Sequence, residues 1–313
     1  MKNSQEFEVI IVGGSYAGLS AAMSLGRALR EVLVIDSGIP CNRQTPHSHN
    51  FLTHDGETPA GISRQAKIQV LEYDTVKFHE GTAVDGRKAK RGFEIKTQTG
   101  AVFTANKLVF ATGLKDIMPD ISGFSECWGI SVLHCPYCHG YEVRNEKTGI
   151  IANGEAAAHY AQLIFNWTRD LCLLTNGKST LSAEQTDKIA KNNIRIIEDE
   201  IDHLEHENGK IRQVIFKSGE KLSLNAIYSR PDFVQHCAIP EELGCELTEQ
   251  GLLKVDHFQK TSVEGVYACG DNSGMRAVSV AVASGTLGGA AINNELAAEE
   301  FNRAGGIQAA IKE

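Results

Sequence analysis

The sequence predicts an α/β fold made of two doubly wound, three-layer units, one inserted in the other. Three observations lead to this prediction. A strand–glycine turn–helix–strand unit occupies residues 8–36, a second one occupies residues 149–176, and two short strands ending in glycine motifs flank the second unit. Strands that alternate with helices are typical of parallel sheets with right-handed crossovers.

The first unit begins with a continuous apolar run at residues 8–12, as expected for a strand buried on both faces of a parallel sheet. A glycine turn follows at 13–18, then a helix over 19–29 and a second apolar strand over 31–36. The small residues of the helix allow it to pack closely on a sheet. This order is that of a nucleotide-binding unit.

The glycine turn is the first candidate binding site. A G-x-G-x-x-G turn lets the backbone approach a pyrophosphate at a helix amino terminus. Here the register is Gly13-x-Ser15-x-x-Gly18, and Asp36 ends the next strand 18 residues beyond Gly18. That is near the distance expected for the acid that binds a ribose. The unit therefore predicts a dinucleotide site, with a tight turn and an exposed strand-end aspartate as the alternative.

The second unit matches the same pattern less well. Its turn has the register Ala152-x-Gly154-x-x-Ala157, and its second strand is followed by Thr-Asn-Gly-Lys at residues 175–178. An acid would hold a ribose diol at this place and arginines would hold a 2′-phosphate, but the segment offers one cation and no acid. The unit is predicted to fold as a nucleotide domain that binds NADP(H) weakly or not at all.

Two shorter strands complete the predicted organisation. The strand at 107–110 leads into Ala111-Thr112-Gly113, and the strand at 265–269 leads into Gly270-Asp271. Because they lie on both sides of the second unit, the simplest arrangement is one domain interrupted by another. We therefore expect two Rossmann-like nucleotide-binding domains. Their bounds are 1–116 with 248–313 for the interrupted domain, and 117–247 for the inserted domain that carries the second unit.

The most informative short motif is a pair of cysteines, Cys135 and Cys138, separated by Pro136 and Tyr137. This spacing lets two thiols close a small reducible disulfide, and a helix amino terminus or a nearby His⁺ can lower the pKa of one thiol. The flanking His134 and His139 could supply a base or acid near neutral pH. We favour this role for His139, which directly follows the second cysteine, while for His134 a polar surface position is an equal alternative.

Besides redox chemistry, the pair could have either of two structural roles. Half of a zinc site would need a second ligand pair, and the sequence has no other C-x-x-C or H-x-x-x-H. The pair could also be two buried structural cysteines, as we expect for most of the six scattered ones. The histidines His47, His49 and His54 lack a matching carboxylate pattern, so we interpret them as a polar flavin-facing loop and predict no metal.

The overall composition limits the classes of partner. The 313 residues carry a formal net charge of -8, which argues against a nucleic-acid partner. No apolar run approaches the roughly 20 residues of a membrane span, and no secretory signal is visible. We therefore predict a cytoplasmic protein with no nucleic-acid or membrane partner. The cysteine pair indicates a small-molecule dithiol or a small redox protein as its partner.

Taken in order along nearly the whole chain, these motifs resemble the low-molecular-weight thioredoxin reductase family. The resemblance implies an FAD domain in two segments, an inserted NADPH-type domain that carries the cysteines, and a homodimer. It also implies that Cys138 faces the flavin and that Cys135 meets the substrate. The residues that it implies for FAD are Gly13, Gly14, Ser15 and Gly18 at the pyrophosphate, Asp36 at the ribose, Asn50 and Val84 along the cofactor, Thr112 and Gly113, Asp271 at the ribityl chain, and Arg276 with Ala277 at the flavin.

The chain also departs from the family pattern. His139 stands where thioredoxin reductases usually have an aspartate, and residues 175–178 replace an arginine-rich NADPH signature. The string Cys-Pro-Tyr-Cys-His-Gly-Tyr resembles a subgroup of dithiol oxidases that close disulfides in gliotoxin- and holomycin-type metabolites. We therefore favour an FAD-dependent dithiol oxidase that uses O2 or another acceptor. The alternatives are an NADPH-dependent thioredoxin-disulfide reductase, in which Lys178 and Arg169 read the 2′-phosphate, and a non-catalytic flavin redox sensor.

Overall fold

The computed structural model describes residues 5–310, and for residues 304–310 the backbone alone. Residues 1–4 and 311–313, which belong to the predicted FAD-binding domain, lie outside the described residues.

The described chain contains seventeen strands and eight helices. The strands are β1 (Gln5–Val12), β2 (Val32–Asp36), β3 (Val76–Glu80), β4 (Ala83–Lys88), β5 (Phe93–Thr97), β6 (Val102–Phe110), β7 (Leu114–Ile117), β8 (Val132–Leu133), β9 (Thr148–Ile151), β10 (Leu171–Leu174), β11 (Arg195–Ile197), β12 (Ile201–Glu207), β13 (Lys210–Phe216), β14 (Lys221–Ser223), β15 (Ala226–Ser229), β16 (Asp232–Gln235) and β17 (Val266–Ala268). The helices are α1 (Tyr16–Arg27), α2 (Pro59–Leu71), α3 (Phe124–Cys127), α4 (Pro136–His139), α5 (Gly154–Ile164), α6 (Ala183–Lys191), α7 (Ile239–Glu242) and α8 (Val278–Ala310).

The chain divides into two compact units. Unit 1 comprises residues 1–41, 60–115 and 234–313, and unit 2 comprises residues 42–59 and 116–233. Strands β7 and β16, in which the chain passes from one unit to the other, pair as a two-stranded sheet.

These units differ from the predicted domain bounds in two places. Unit 1 resumes at residue 234, ahead of the predicted 248, because Ile239 and Cys245 are buried in the same apolar cluster as Phe7 and Ile95. Residues 42–59 belong by their contacts to unit 2, although the chain reaches them directly from β2.

Unit 1 is built on a seven-stranded sheet. Strand β1 pairs in parallel with β2 on one side and β6 on the other, β3 continues beyond β2, and β17 pairs with β6. Strands β5 and β4 extend the sheet in the antiparallel sense. Because β1, β2, β6 and β17 run in parallel, their carboxyl ends share one edge, and the connections diverge between β1 and β6. Ligands of doubly wound sheets bind at such a divergence point.

In unit 1, helices α1 and α8 pack against each other at very close range. A methyl group at Gly285 of α8 would lie 2.1 Å from the carbonyl oxygen of Ala17 in α1, and one at Gly289 would lie 2.7 Å from Ser24 Cβ. Glycine is therefore required at both positions for the two helices to approach.

We expect Gly285→Ala to destabilise the protein by about 1–3 kcal/mol, because the added methyl meets a backbone atom that cannot move aside. The urea midpoint of the holoprotein measures the loss. Gly288→Ala is the matched control on the same helix: its methyl would lie 3.5 Å from Gln259 Cβ, an ordinary contact. An alanine there should hold or raise the midpoint, and equal losses for both variants would contradict the packing argument.

Unit 2 repeats the parallel arrangement on a smaller scale. Its five-stranded sheet has the order β11-β10-β9-β15-β8, with parallel pairing throughout, and β12, β13 and β14 form a separate antiparallel sheet. Helix α5 connects β9 to β10 as a right-handed crossover would require. The two sheets confirm the predicted α/β fold with two Rossmann-like units.

Candidate active site

The cysteine pair of unit 2 lies at the start of a single helical turn. Strand β8, which precedes the pair, is fully buried. Cys135 is the N-cap residue of α4, and Pro136 is its first helical residue. Proline suits that position because its missing N–H has no helical partner there. The backbone N–H groups of Cys138 and His139 both donate to the Cys135 carbonyl at 3.2 Å. The two Cα atoms lie 5.3 Å apart and the sulfurs are joined as a disulfide.

Aromatic side chains border the disulfide. Tyr137 and Tyr141 are exposed, and the Trp167 ring meets Tyr137 edge-on with 5.7 Å between centroids. A methyl group at Gly140 would lie 2.4 Å from the Pro136 carbonyl oxygen and 2.7 Å from Trp167 Nε1. Glycine at this position therefore lets α4 lie against the indole. Cys135 and Cys138 are themselves half-buried.

His139 is half-buried beside the pair. Burial lowers its pKa, and the nearby His49 lowers it further, whereas Glu142 acts in the opposite direction. A lowered pKa keeps the imidazole neutral at neutral pH, which is the form that can accept a proton from a thiol. The predicted role of His139 as acid and base stays a prediction with this environment in its favour.

His134 lies in a different environment. Its ring meets Trp128 edge-on at 6.3 Å between centroids, and its carbonyl oxygen accepts a hydrogen bond from the Tyr160 hydroxyl at 3.3 Å. Both contacts are those of a residue that packs at the end of β8. His139 is therefore the stronger candidate of the two flanking histidines.

Sequence reasoning did not connect His49 and Glu142 with the pair. The segment of residues 42–59 is distant in sequence, yet the structure places the His49 ring edge-on to His139, at 6.5 Å between centroids. The three closely spaced histidines gave a signal, but we interpreted it as a flavin-facing loop. Among the residues that the structure describes, no three His, Cys, Asp or Glu side chains form a group that could hold a metal.

The six other cysteines are thiols. Cys127, Cys172, Cys245 and Cys269 are buried, as predicted for most of them, while Cys237 is half-buried and Cys41 is exposed. Burial raises the pKa of the Cys172 thiol to about 11 and that of Cys269 to about 12. These two thiols are protonated at neutral pH and have little nucleophilic character.

In unit 1, the predicted FAD residues converge on the carboxyl edge of the sheet. The turn after β1, Asp36 at the end of β2, Ala111 after β6 and Gly270 after β17 all lie there. The Gly14 N–H donates to Asp36 Oδ1 at 3.1 Å, and the Gly13 N–H donates to the Ile35 carbonyl. The turn and the acid are thus held together by hydrogen bonds.

The glycine turn fits a closely bound phosphate group. Gly13 has φ +105°, and a methyl there would lie 2.3 Å from the Ala111 carbonyl oxygen. A methyl at Gly18 would lie 1.8 Å from the Gly13 carbonyl oxygen, and one at Gly14 would lie 2.8 Å from Asp36 Cβ. Ser15 caps α1 without a side-chain hydrogen bond, so the first amide groups of the helix are not used by its own cap.

A buried polar residue at the same edge was not predicted. Asn272 has no exposed surface and donates from Nδ2 to the Phe110 carbonyl at 2.9 Å, while its Oδ1 has no hydrogen-bond partner in the described structure. Buried polar atoms without a partner are uncommon in native proteins. Together with the glycine turn, this atom fits a site for a bound polar group such as FAD.

The remaining predicted FAD residues lie in several places. Thr112 and Gly113 follow β6, Val84 is the second residue of β4 and is 50% exposed, and Asp271 follows Gly270. Arg276 and Ala277 directly precede α8. Asn50 belongs to unit 2, has φ +60°, and donates its N–H to Asp55 Oδ1 at 2.7 Å.

In unit 2, the turn between β9 and α5 corresponds to the glycine turn of unit 1. The side chain of Asn153 occupies this turn. Asn153 caps α5, and its Oδ1 accepts hydrogen bonds from Gly154 N, Thr180 N and Thr180 Oγ1 at 2.8, 2.8 and 3.1 Å. Its Nδ2 donates to the Lys178 carbonyl at 2.9 Å. One amide that would meet a pyrophosphate is therefore already bonded, and the loop after β10 is fastened across the turn.

Two backbone amides of the loop after β10 are bonded within unit 2. Its Gly177 and Ser179 N–H groups donate to the carbonyl and the carboxylate of Glu198, which precedes the exposed Asp199. Arg169 lies before β10, at the opposite edge of the sheet, with its guanidinium 3.7 Å from the centre of the Phe165 ring. The prediction that Arg169 could read a 2′-phosphate is therefore wrong, and Lys178 is the cation on this loop.

None of the helices described between residues 5 and 310 has the length and apolar composition of a membrane span.

The chain is similar to known proteins over nearly its whole length. The sequence profile described as pyridine nucleotide-disulphide oxidoreductase matches residues 7–285. A thioredoxin reductase of Claviceps purpurea, tcpT, is 31% identical over 96% of this chain and 97% of its own length. The structure of HlmI is similar with a TM-score of 0.91 at 30% identity, over 98% of this chain and 97% of HlmI. An oxidoreductase from Agrobacterium tumefaciens gives 0.87 at 35% identity, over 93% of this chain and 99% of its own.

Proposed function

Because this chain belongs to the pyridine nucleotide-disulphide oxidoreductase family, as a thioredoxin-reductase-like flavin disulfide oxidoreductase, we propose that it oxidises a small dithiol to a disulfide through Cys135 and Cys138. The observation that carries the direction is the contrast between its two nucleotide turns. In unit 1, α1 has no side-chain cap and its glycines permit a tight turn against β2 and β6. In unit 2, the Asn153 side chain caps α5 and bonds across the turn. We propose an FAD site in the first and no functional NADPH site in the second.

The thiol chemistry needs only residues of unit 2. A substrate thiolate attacks Cys135 Sγ, the disulfide breaks, and Cys138 leaves as a thiolate. His139 accepts the proton of the second substrate thiol, which then attacks the sulfur bonded to Cys135. The substrate disulfide forms and Cys135 leaves as a thiolate, so the substrate has lost two electrons and two protons.

When bound, FAD supplies the two-electron acceptor for the reduced pair, and with dioxygen as the final acceptor hydrogen peroxide is the second product. The residues of unit 1 proposed to hold it are Gly13, Gly14, Ser15, Gly18 and Asp36 at the adenosine and pyrophosphate. Further along the edge we propose Val84, Thr112, Gly113, Asp271, Arg276 and Ala277. The role of Asn50 stays a prediction of the family resemblance. Homodimerisation stays a prediction of the family resemblance.

An anaerobic titration of the purified flavoprotein tests the direction. We expect two equivalents of dithiothreitol, one for the disulfide and one for the flavin, to bleach the visible flavin absorbance. NADPH or NADH should leave it unchanged, because the Asn153 side chain already bonds across the turn of unit 2. Readmitting air to the dithiol-reduced protein should restore the colour and release hydrogen peroxide. Bleaching by micromolar NADPH together with no reaction with dithiothreitol would refute the proposal.

The second candidate function is an NADPH-dependent disulfide reductase. It is favoured by the name of the Claviceps purpurea relative, which is a thioredoxin reductase, and by Lys178 on the loop after β10. It would use the same cysteines in the reverse direction. Rapid flavin bleaching by NADPH, followed by reduction of thioredoxin, would establish it in place of the oxidase.

A further inference from the structure

The segment of residues 42–59 places a second histidine beside His139 in unit 2. The side chain of His49 is 19% exposed, and its Nδ1 and Nε2 atoms lie 3.6 Å from Asp55 Oδ2 and from Glu142 Oε1. Its ring stands at 88° to the His139 ring. His49 is therefore held between two carboxylates with one side turned to the proposed base.

We propose that His49 and Glu142 are positioning residues that set the pH at which His139 can accept the proton of a substrate thiol. This inference rests on the proposed function. In the step concerned, the S–H bond of the thiol breaks, an N–H bond forms on the His139 imidazole, and the sulfur keeps the electron pair with which it attacks. No electron transfer to another group is needed for this step.

The two groups act on His139 through charge. At 3.6 Å, neither contact of His49 with a carboxylate is a hydrogen bond. A charge on His49 opposes a second charge on His139, whereas the Glu142 carboxylate favours it. Because the two influences have opposite signs, removing His49 and removing Glu142 should shift the pKa of His139 in opposite directions.

The other ionisable groups near His49 and Glu142 do not act on His139 with such opposite influences. Asp55 lies against His49, and its carboxylate is mostly exposed. Burial, with a smaller effect of Glu142, raises the pKa of Tyr228 in β15, so this residue is neutral at neutral pH. Cys135 and Cys138 are joined as a disulfide in the oxidised protein, so neither sulfur titrates there.

The test compares His49→Gln and Glu142→Gln in the oxidised holoprotein. NMR titration of the His139 ring, assigned with a His139→Asn variant, gives its protonation midpoint without any turnover. We expect His49→Gln to raise this midpoint by about 0.5–1 pH unit and Glu142→Gln to lower it by a similar amount. The acid limb of the anaerobic rate of flavin bleaching by dithiothreitol should move in the same directions. His54→Gln, a histidine of the same segment whose ring stacks on Phe51, should move neither.

Two results would overturn the inference: midpoints that do not move, or midpoints that move in the same direction in both variants. A slower reaction with an unchanged pH profile would indicate that the residues only support the fold. Glu142 is 38% exposed, so Glu142→Gln should fold even if His49→Gln does not. In that case the lowered His139 midpoint in Glu142→Gln is the test of the inference. Failure of the proposed function is distinct, because it appears in the wild-type protein as bleaching by NADPH and not by dithiothreitol.

Discussion

Cys138→Ser should abolish flavin reduction by a dithiol, with a rate loss of about 1,000-fold or more, as is usual when one member of a catalytic unit is removed. The variant has no disulfide for the substrate to attack, so electrons cannot leave the dithiol by thiol exchange. Anaerobic stopped-flow mixing of the yellow protein with dithiothreitol measures the effect. Cys135→Ser should lose the reaction to the same extent, since both sulfurs are needed.

The two cysteine variants should differ in their reaction with an added disulfide. In Cys138→Ser the remaining Cys135 thiol should form a stable mixed disulfide with an added disulfide such as Ellman's reagent, detected by mass spectrometry. Cys237→Ala is the control for loss of a thiol outside the pair and should keep the wild-type rate. Full turnover by Cys138→Ser would contradict the proposed chemistry and favour the non-catalytic flavin redox sensor.

Gly13→Ala should yield a protein that binds FAD about 100-fold more weakly or is purified colourless. The added methyl would lie 2.3 Å from the Ala111 carbonyl oxygen, and φ +105° is strained for any side chain. The turn and the end of β6 must then separate, at a cost of about 1–3 kcal/mol or more in the binding geometry. Flavin content after purification and fluorescence titration of the apoprotein with FAD measure the loss.

Gly100→Ala is a control that separates strain from steric exclusion. Gly100 also has positive φ, +84°, but nothing lies within 4 Å of the position of its added methyl. We expect a small loss of stability and normal FAD content. A Gly13→Ala protein with wild-type FAD affinity would show that the turn is not the pyrophosphate site.

The features that the sequence predicted well are those determined by local pattern. Buried parallel strands are continuous apolar runs, and the turn at Gly13 needs glycine for steric reasons that any such site shares, so both could be recognised without coordinates. Pro136 indicated the start of α4 in the same way, because proline is compatible with very few backbone positions.

The features that were missed depend on contacts between distant parts of the chain. Nothing local in residues 42–59 indicates that this segment packs with residues beyond 116, so His49 could not be placed beside His139. The bonds of Asn153 to Thr180 depend equally on the path of a loop 27 residues away. The misassigned Arg169 shows the same limit: its distance from Lys178 along the chain is short, but the strand between them carries the two to opposite edges of the sheet.

The burial of the scattered cysteines has a consequence for the lifetime of the protein. If dioxygen is its acceptor, the molecule releases peroxide close to its own sulfurs at every turnover. Peroxide attacks thiolates, and Cys172 and Cys269 are enclosed and protonated, so the interior should resist overoxidation. Cys41 is the exposed thiol among the six. Oxidative damage during catalysis should therefore begin at Cys41 and not at the buried thiols.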